Sequence, residues 1–500
     1  MTTANINAGS GMNVKTLHPD YEKYMPKWQK VRHAIAGELK EYLRNVGKNE
    51  GDPEYGKQRQ REYEDGAICY NFTKRTLSGM VGSVMRKDPE QTIPDQLEYL
   101  LTNCDGSGVG LWQHAQDTLM EIDSIGRGGL LVDAPETGAA TMAEQNEGLL
   151  NPVIVFYTAE NIINWRLTRV GSVNRVSLIV LRESYEYNSG QDEFSTSYGE
   201  QYRVLDIVEG KYRQRLYQFD QKGVMRGDVK EIFPNLASVP AGIIPFTFIG
   251  ATNNDHTPDD PPILPLAELN IGHFRNSADN EESSFVVGQP TLFMSPGENM
   301  NLEQFNKANP GGVKMGSRTG HNIGAGGTAQ LIQAAENNLA KQNMLDKEQQ
   351  AVQIGAQLIT PTVQITAESA RLQRGADTSV MSTIARNVSQ AYTDALKWVA
   401  GMLNADTADI EFKLNMEFFL KPMTAQDRAA WVSDINAGLL PATAYYEALR
   451  EAGVTNWTNE QIEDAIADQP IPTRGTATTV NGDIPASANQ QTGSDQAASV

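Results

Sequence analysis

The residues best suited to metal or nucleophilic chemistry are six histidines, at 18, 33, 114, 256, 273 and 321, and two cysteines, Cys69 and Cys104. The histidines are scattered and the cysteines lack the spacing of a metal motif. Two unspaced cysteines read as a reduced pair of small core residues. A Walker A phosphate loop, His-Glu-x-x-His and Gly-x-Ser-x-Gly do not occur. Three stretches imitate sites. The run 253–260 gathers Asp255, His256, Asp259 and Asp260, but without the regular oxygen spacing of a calcium loop, so it reads as a solvated loop. Gly126, Gly128 and Gly129 suggest a dinucleotide fingerprint in the wrong order, helix before strand, and read as a helix C-cap instead. Arg86 and Lys87 close a helix, where the dipole alone explains them. The chain therefore reads as a non-enzyme with no cofactor and no metal.

The elements that would position any site come in a clear order. Five hundred residues, 40% hydrophobic, allow two to four structural units with a real core. No apolar run approaches the roughly 18 residues of a membrane span, and the first ten residues lack a signal-peptide core, so no membrane role is expected. Helical periodicity predicts helices over 21–46, 63–85, 94–101 and 111–125. A short strand is expected at 130–132, after the glycine run. From 151 to 250 the period becomes two, predicting strands at 153–157, 176–187, 202–208, 211–219 and 243–249, with a hairpin turn at Glu209-Gly210. A strand over 410–418 and helices starting near Thr424, Ala442 and Thr458 follow.

The central block spans 261–403. A helix through Leu266, Asn270, Phe274, Ala278 and Phe285 ends at Gly288. A polar, glycine-rich segment with a strand at 291–293 runs to Gly327. Such a length between two helices marks a small module. A mostly polar helix covers 334–358, and Thr366 opens a long helix to about Leu403. Two long polar helices around a glycine-rich tip have too little apolar face to stand alone, and packing against copies in a ring supplies the missing surface. The net charge of −20 suits a surface that lets DNA pass rather than one that grips it.

These pieces, in this order, resemble the portal proteins of tailed double-stranded-DNA phages, specifically a portal-like family long catalogued as a domain of unknown function. The likeness covers about 20–465. It rests on Tyr70–Phe72 through Lys87–Pro89, Asn103–Gly108, Gly126–Asp133, Tyr157–Trp165, Leu266–Asp279, Thr366–Ala370, and the run from Ala437 through Pro441, Tyr445 and Tyr446 to Leu449.

The resemblance implies an α+β portal fold and a ring, usually of twelve subunits, at one capsid vertex, with DNA entering and leaving through its channel. It implies a virion location at the portal vertex and neck, host cytoplasm during assembly, and partners in the terminase large subunit, major capsid and scaffolding proteins, and neck or head-tail adaptors. Its layout maps 1–14 to a disordered N-terminus, 15–260 to a wing that is helical then β-rich, 261–287 to the first stem helix and 288–333 to a clip. It maps 334–358 to the second stem helix, 359–375 to a tunnel loop, 376–418 to the long wing helix and strand, 419–470 to a helical crown, and 471–500 to a disordered tail. Channel-facing candidates are Asp279, Glu281, Glu282, Gln364, Glu368, Arg371 and Arg374. Arg371 and Arg374 serve either phosphate or salt bridges between subunits. Motor or adaptor docking candidates in the clip are Phe293, Asn299, Phe305, Lys307, Lys314 and Arg318. Twelve copies would carry roughly −240 formal charge, which disfavours tight phosphate binding. A structural neck or head-tail adaptor ring component is the alternative function; such proteins are usually shorter and lack a helix–clip–helix core.

Overall fold

The computed structural model describes residues 13–468 except 49, 135–150, 189–193, 195, 235–241, 314–319, 334, 336, 360–366, 417, 419–422, 424 and 456; the side chains of 356–379 and Glu451 are likewise not described. The two terminal segments expected to be disordered fall largely outside this range. The chain is α+β and divides into two compact units, 1–418 and 419–500.

Helix α1 (Pro19–Ala36) starts where His18 Nδ1 accepts the Asp20 N–H, and buries Tyr21, Trp28, Val31 and Ala34 on one stripe. It stops ten residues before the predicted end. Gly37 adopts φ 77° and returns its N–H to His33, a left-handed cap that lets the chain turn while Leu39 stays buried. The helix expected over 63–85 is two: α2 (Pro53–Gly66), capped by Asp52 with proline in its first turn, and α3 (Phe72–Val84), capped by Asn71. Residues 67–71 between them are not helical, and the Ile68 N–H is bonded to another helix, as described below.

Strand β1 (Glu90–Thr92) leads to a 3-10 turn (Asp95–Leu101) and α4 (Leu111–Ile125). Gly126 ends α4 at φ 75° with its N–H on Ile122, the C-cap read from the sequence. The next two glycines serve packing. In β2 (Arg127–Asp133), a Cβ on Gly128 would lie 2.7 Å from the Phe156 ring, and one on Gly129 2.2 Å from the Phe246 ring. Those rings belong to β3 (Val153–Thr158) and β9 (Phe246–Gly250), which flank β2 antiparallel in a three-stranded sheet.

The second sheet is an antiparallel meander of β4 (Ile162–Val170), β5 (Val173–Asn188), β6 (Thr196–Val208), β7 (Lys211–Phe219) and β8 (Lys230–Ile232), in that order. The β6–β7 turn is Glu209-Gly210, both at positive φ (51° and 78°), as a twist-matched two-residue hairpin requires. Strands β4 and β8 were not anticipated.

The central block contributes α5 (Leu264–Gly288), β10 (Thr291–Ser295), α6 (Leu302–Ala308), β11 (Thr328–Ile332), α7 (Leu339–Ile359) and α8 (Ala367–Met402). Helix α8 supplies the core spine, with Met381, Ile384, Val388, Ala391, Tyr392, Leu396 and Val399 buried against α4, β2 and β9. Of the strand expected over 410–418, β12 (Glu411–Lys413) pairs with β1, and Ile410, Phe412 and Leu414 are buried.

The second unit holds α9 (Ala425–Asn436), α10 (Ala442–Glu451) and α11 (Asn459–Ala467), the last opened by the expected Thr458–Gln461 capping box. Thr424 lies outside the described residues. Helices α9 and α11 bury no residue, and Leu439, Leu440 and Trp457 are exposed.

Candidate functional site, the two-helix hairpin and its tip

Helices α5 and α7 form an antiparallel pair: His273 Nε2 lies 3.1 Å from Glu348 Oε1, and nearer the tip Ser283 and Lys341 line one cleft. Close approach at the base is made by small residues. A Cβ on Gly355 of α7 would sit 3.0 Å from the Thr76 hydroxyl of α3, and one on Gly272 of α5 would sit 3.1 Å from Cε of Lys347.

The base of α5 is buried through Leu266, Ala267, Ile271, Phe274 and Ala278, packing on α1, α2, α3 and α7. A buried polar stripe, Asn270, His273 and Ser277, runs along it at helical spacing. Its partner is the segment 67–72. Ser277 Oγ accepts the Ile68 N–H at 3.0 Å, Asn270 Oδ1 accepts the Phe72 N–H at 3.2 Å, and Tyr70 and Phe72 pack on the His273 ring. The Ile68 and Phe72 N–H groups are thus satisfied by α5 side chains rather than by a continuous helix, and α2 and α3 are separate.

The acidic candidates on α5 differ in their surroundings. Asp279 accepts from Arg44 and from the Tyr63 hydroxyl (2.6 Å). Burial and this carboxylate together push the Tyr63 phenol up to about 12. Glu282 accepts from Arg59 Nη2 at 2.6 Å, and Arg59 also pairs with Glu50. Both carboxylates are thus neutralised by arginines of their own chain. Glu281 is exposed, with no ion pair to a described residue. Gln364 lies outside the described residues; Glu368, Arg371 and Arg374 lie in the first turns of α8, their side chains outside that set.

Beyond Gly288 the tip is a small module. Strands β10 and β11 pair antiparallel from Thr291↔Ile332 to Ser295↔Thr328. Helix α6 is opened by a capping box of Asn301 and Gln304. The buried Asn309 side chain bonds the Phe305 and Asn322 carbonyls (3.0 and 2.9 Å) and the Asn322 N–H (3.1 Å). A glycine is needed at 297, where a Cβ would come within 2.0 Å of the Ala325 oxygen.

Of the docking candidates, Phe293 is 57% exposed and Asn299 and Lys307 are exposed, but Phe305 is buried at 8% and anchors its own module. Lys314 and Arg318 lie outside the described residues. Apolar side chains are exposed here: Phe285, Val286, Leu302, Leu331, Ile332 and Leu339 are each at least half exposed. The tip end of the hairpin therefore presents apolar surface that its own chain does not cover among the described residues.

No group of three or more His, Cys, Asp or Glu converges on a metal-sized point among the described residues. In the loop 253–260 the acidic side chains cap backbone. Asp255 accepts the Thr257 N–H (2.7 Å) and Asp259 the Thr252 N–H (2.8 Å), while Asp260 pairs with Lys27. The loop's Asp255 and His256 carbonyls accept from the buried Arg127 guanidinium, 4.1 Å from the Phe248 ring centre. Burial lowers Arg127 from its usual range to about 9. Sequence reasoning missed the Arg44, Arg59 and Tyr63 clamp, which no local pattern announces. It also missed the polar stripe of α5, which its spacing of three and four residues could have revealed. Among the described residues no helix is long and apolar enough to cross a membrane.

No curated protein sequence matches the chain. Among solved structures it is similar to a chain of the virion of a native gene transfer agent particle, with TM-score 0.39 and 15% identity over 79% of this chain and 92% of that one. It is also similar to a HK97 family phage portal protein from Corynebacterium diphtheriae, with TM-score 0.29 and 10% identity over 69% of this chain and 92% of that one. Residues 262–402, which span the hairpin, its tip and α8, match a family described as a domain of unknown function (DUF4055).

Proposed function

We propose that this chain is the portal subunit of a tailed double-stranded-DNA phage, a structural protein that assembles into a ring around a DNA channel. The observation that carries the reading is the hairpin: two long helices, embedded at the base, hold a small folded module whose apolar surface the described residues leave exposed. A ring with head-to-tail contacts covers such surface in every copy. The order of sequence motifs from Tyr70 to Leu449 supports the same reading. In it, α5 and α7 are the stem, the tip is the clip that meets first the packaging motor and later the neck adaptor, 359–375 is the tunnel loop region, and the unit after 418 is the crown. Glu281 is the stem acid with charge to spare for the lumen, and Phe293, Asn299 and Lys307 are the clip residues placed for docking.

Native mass spectrometry of the purified chain, with negative-stain class averages, tests this. The expected result is a ring near twelve copies with an open centre. A stable monomer or dimer across a range of salt would overturn it, and ATP hydrolysis by the pure chain would count against it.

A further inference from the structure

One end of the five-stranded sheet differs in charge from the rest of the chain. Residues 161–182 contain four arginines and neither Asp nor Glu, in a sequence with 62 acidic and 42 basic residues. Arg182 is turned to the Glu160 carbonyl (3.2 Å). The other three, Arg166, Arg169 and Arg175, are exposed and form no ion pair with any described residue; Arg169 Nε donates only to the Gly171 carbonyl, at 3.1 Å. Thr168 stands opposite Arg175, so Arg175 shares a face with Arg166, two residues before Thr168, while Arg169 projects from the other face. Between them Val170 and Val173 pair across the hairpin, 55% and 54% exposed. The β6–β7 turn adds Glu209 and Lys211, whose charges cancel. Arg213 and Arg215 are consumed by Asp206 and Glu231. What remains is a hairpin end with an apolar pair ringed by three uncompensated arginines.

We propose that this hairpin end docks on the acidic surface of a neighbouring copy of the same chain, an inference that rests on the ring reading. Three arguments select that partner. The chain carries a net −20, so a second copy supplies the opposite charge. A head-to-tail contact joins two different surfaces, whereas a two-fold contact would set the arginines against themselves. An apolar centre with an arginine rim matches protein–protein contacts, while a nucleic-acid backbone would leave Val170 and Val173 without a role.

The test compares the full chain with R166E/R169E/R175E and R166K/R169K/R175K, at one salt concentration, by native mass spectrometry across a protein dilution series. The glutamate variant should need about tenfold or more protein to reach half assembly, and the lysine variant should stay near wild type. Thermal unfolding of both should be unchanged because the side chains are exposed; if the triple variant unfolds early, Arg175→Glu alone carries the comparison, with a smaller shift in the same direction. A glutamate variant that forms rings as readily as wild type overturns the proposal while leaving the ring reading intact. So does one that assembles normally but loses affinity for a short DNA duplex, which would assign the patch to nucleic acid. A wild-type chain that forms no ring at any salt defeats the ring reading and takes this proposal with it.

Discussion

At the scale of single residues, the most telling group is Asp123. Its side chain on α4 is wholly buried, and neither carboxylate oxygen has a hydrogen-bond partner among the described residues. Desolvation pushes its pKa up to about 8, so the folded protein holds it neutral at physiological pH. The unfolded chain releases that proton near pH 4, so the contribution of this group to stability is fully present below pH 4 and is lost as pH rises towards 8. The loss is at most roughly 6 kcal/mol for a shift of this size. Urea unfolding at pH 5 and pH 8 should show that slope in wild type and a flatter one in Asp123→Asn; equal slopes would refute the assignment. Gly129 makes a second prediction. Phe246 leaves no room for a Cβ there, so Gly129→Ala should cost about 1–3 kcal/mol in the same assay, because the ring must move within a packed sheet.

At the scale of elements, the hairpin of α5 and α7 divides into a committed base and an available tip. The base buries apolar residues and spends Asn270 and Ser277 on the 67–72 backbone. At the tip, β10 and β11 form an isolated two-stranded sheet, a unit of marginal stability in water. Leu331, 59% exposed, lies on it opposite Leu292. Leu331→Asp should leave monomer unfolding within about 0.5 kcal/mol of wild type, as expected for an exposed site. It should also lower the ring fraction seen by native mass spectrometry. Loss of monomer stability together with normal rings would mean that the residue serves its own module instead.

At the scale of the whole molecule, charge and symmetry act together. In the proposed ring each subunit would bring −20, so the closed assembly would have to set complementary surfaces side by side to offset the repulsion of like copies. Inside the chain, arginines already serve this end. Arg44 and Arg59 neutralise Asp279 and Glu282, Arg32 joins Glu121 to Glu160, and Arg203 joins Glu183 to Asp133. Arg166, Arg169 and Arg175 stand outside these pairs. The ring measurement and the arginine variants therefore probe one balance from two sides: whether copies assemble, and which surface lets them.

Much of the architecture was legible in the order of residues alone. The helical spans of α4, α5 and α8, the Glu209-Gly210 turn, the Gly126 cap and the Thr458 capping box follow from period and stereochemistry, which act within a few residues. The same local rules misjudged the ends of α1 and merged α2 with α3, because Leu39 and the 67–71 backbone answer to partners elsewhere in the chain. Strand β1 needed β12, more than 300 residues later, before it could be a strand. For the candidate site, the sequence by itself determined that two helices flank a glycine-rich module and that acids lie on the first of them. Only the tertiary structure decided that Asp279 and Glu282 are spent on Arg44 and Arg59, that Phe305 faces inward, and that Glu281 and Phe293 stay open. The reason is physical: backbone preference is local, but the burial and charge of a side chain depend on what distant segments bring to it.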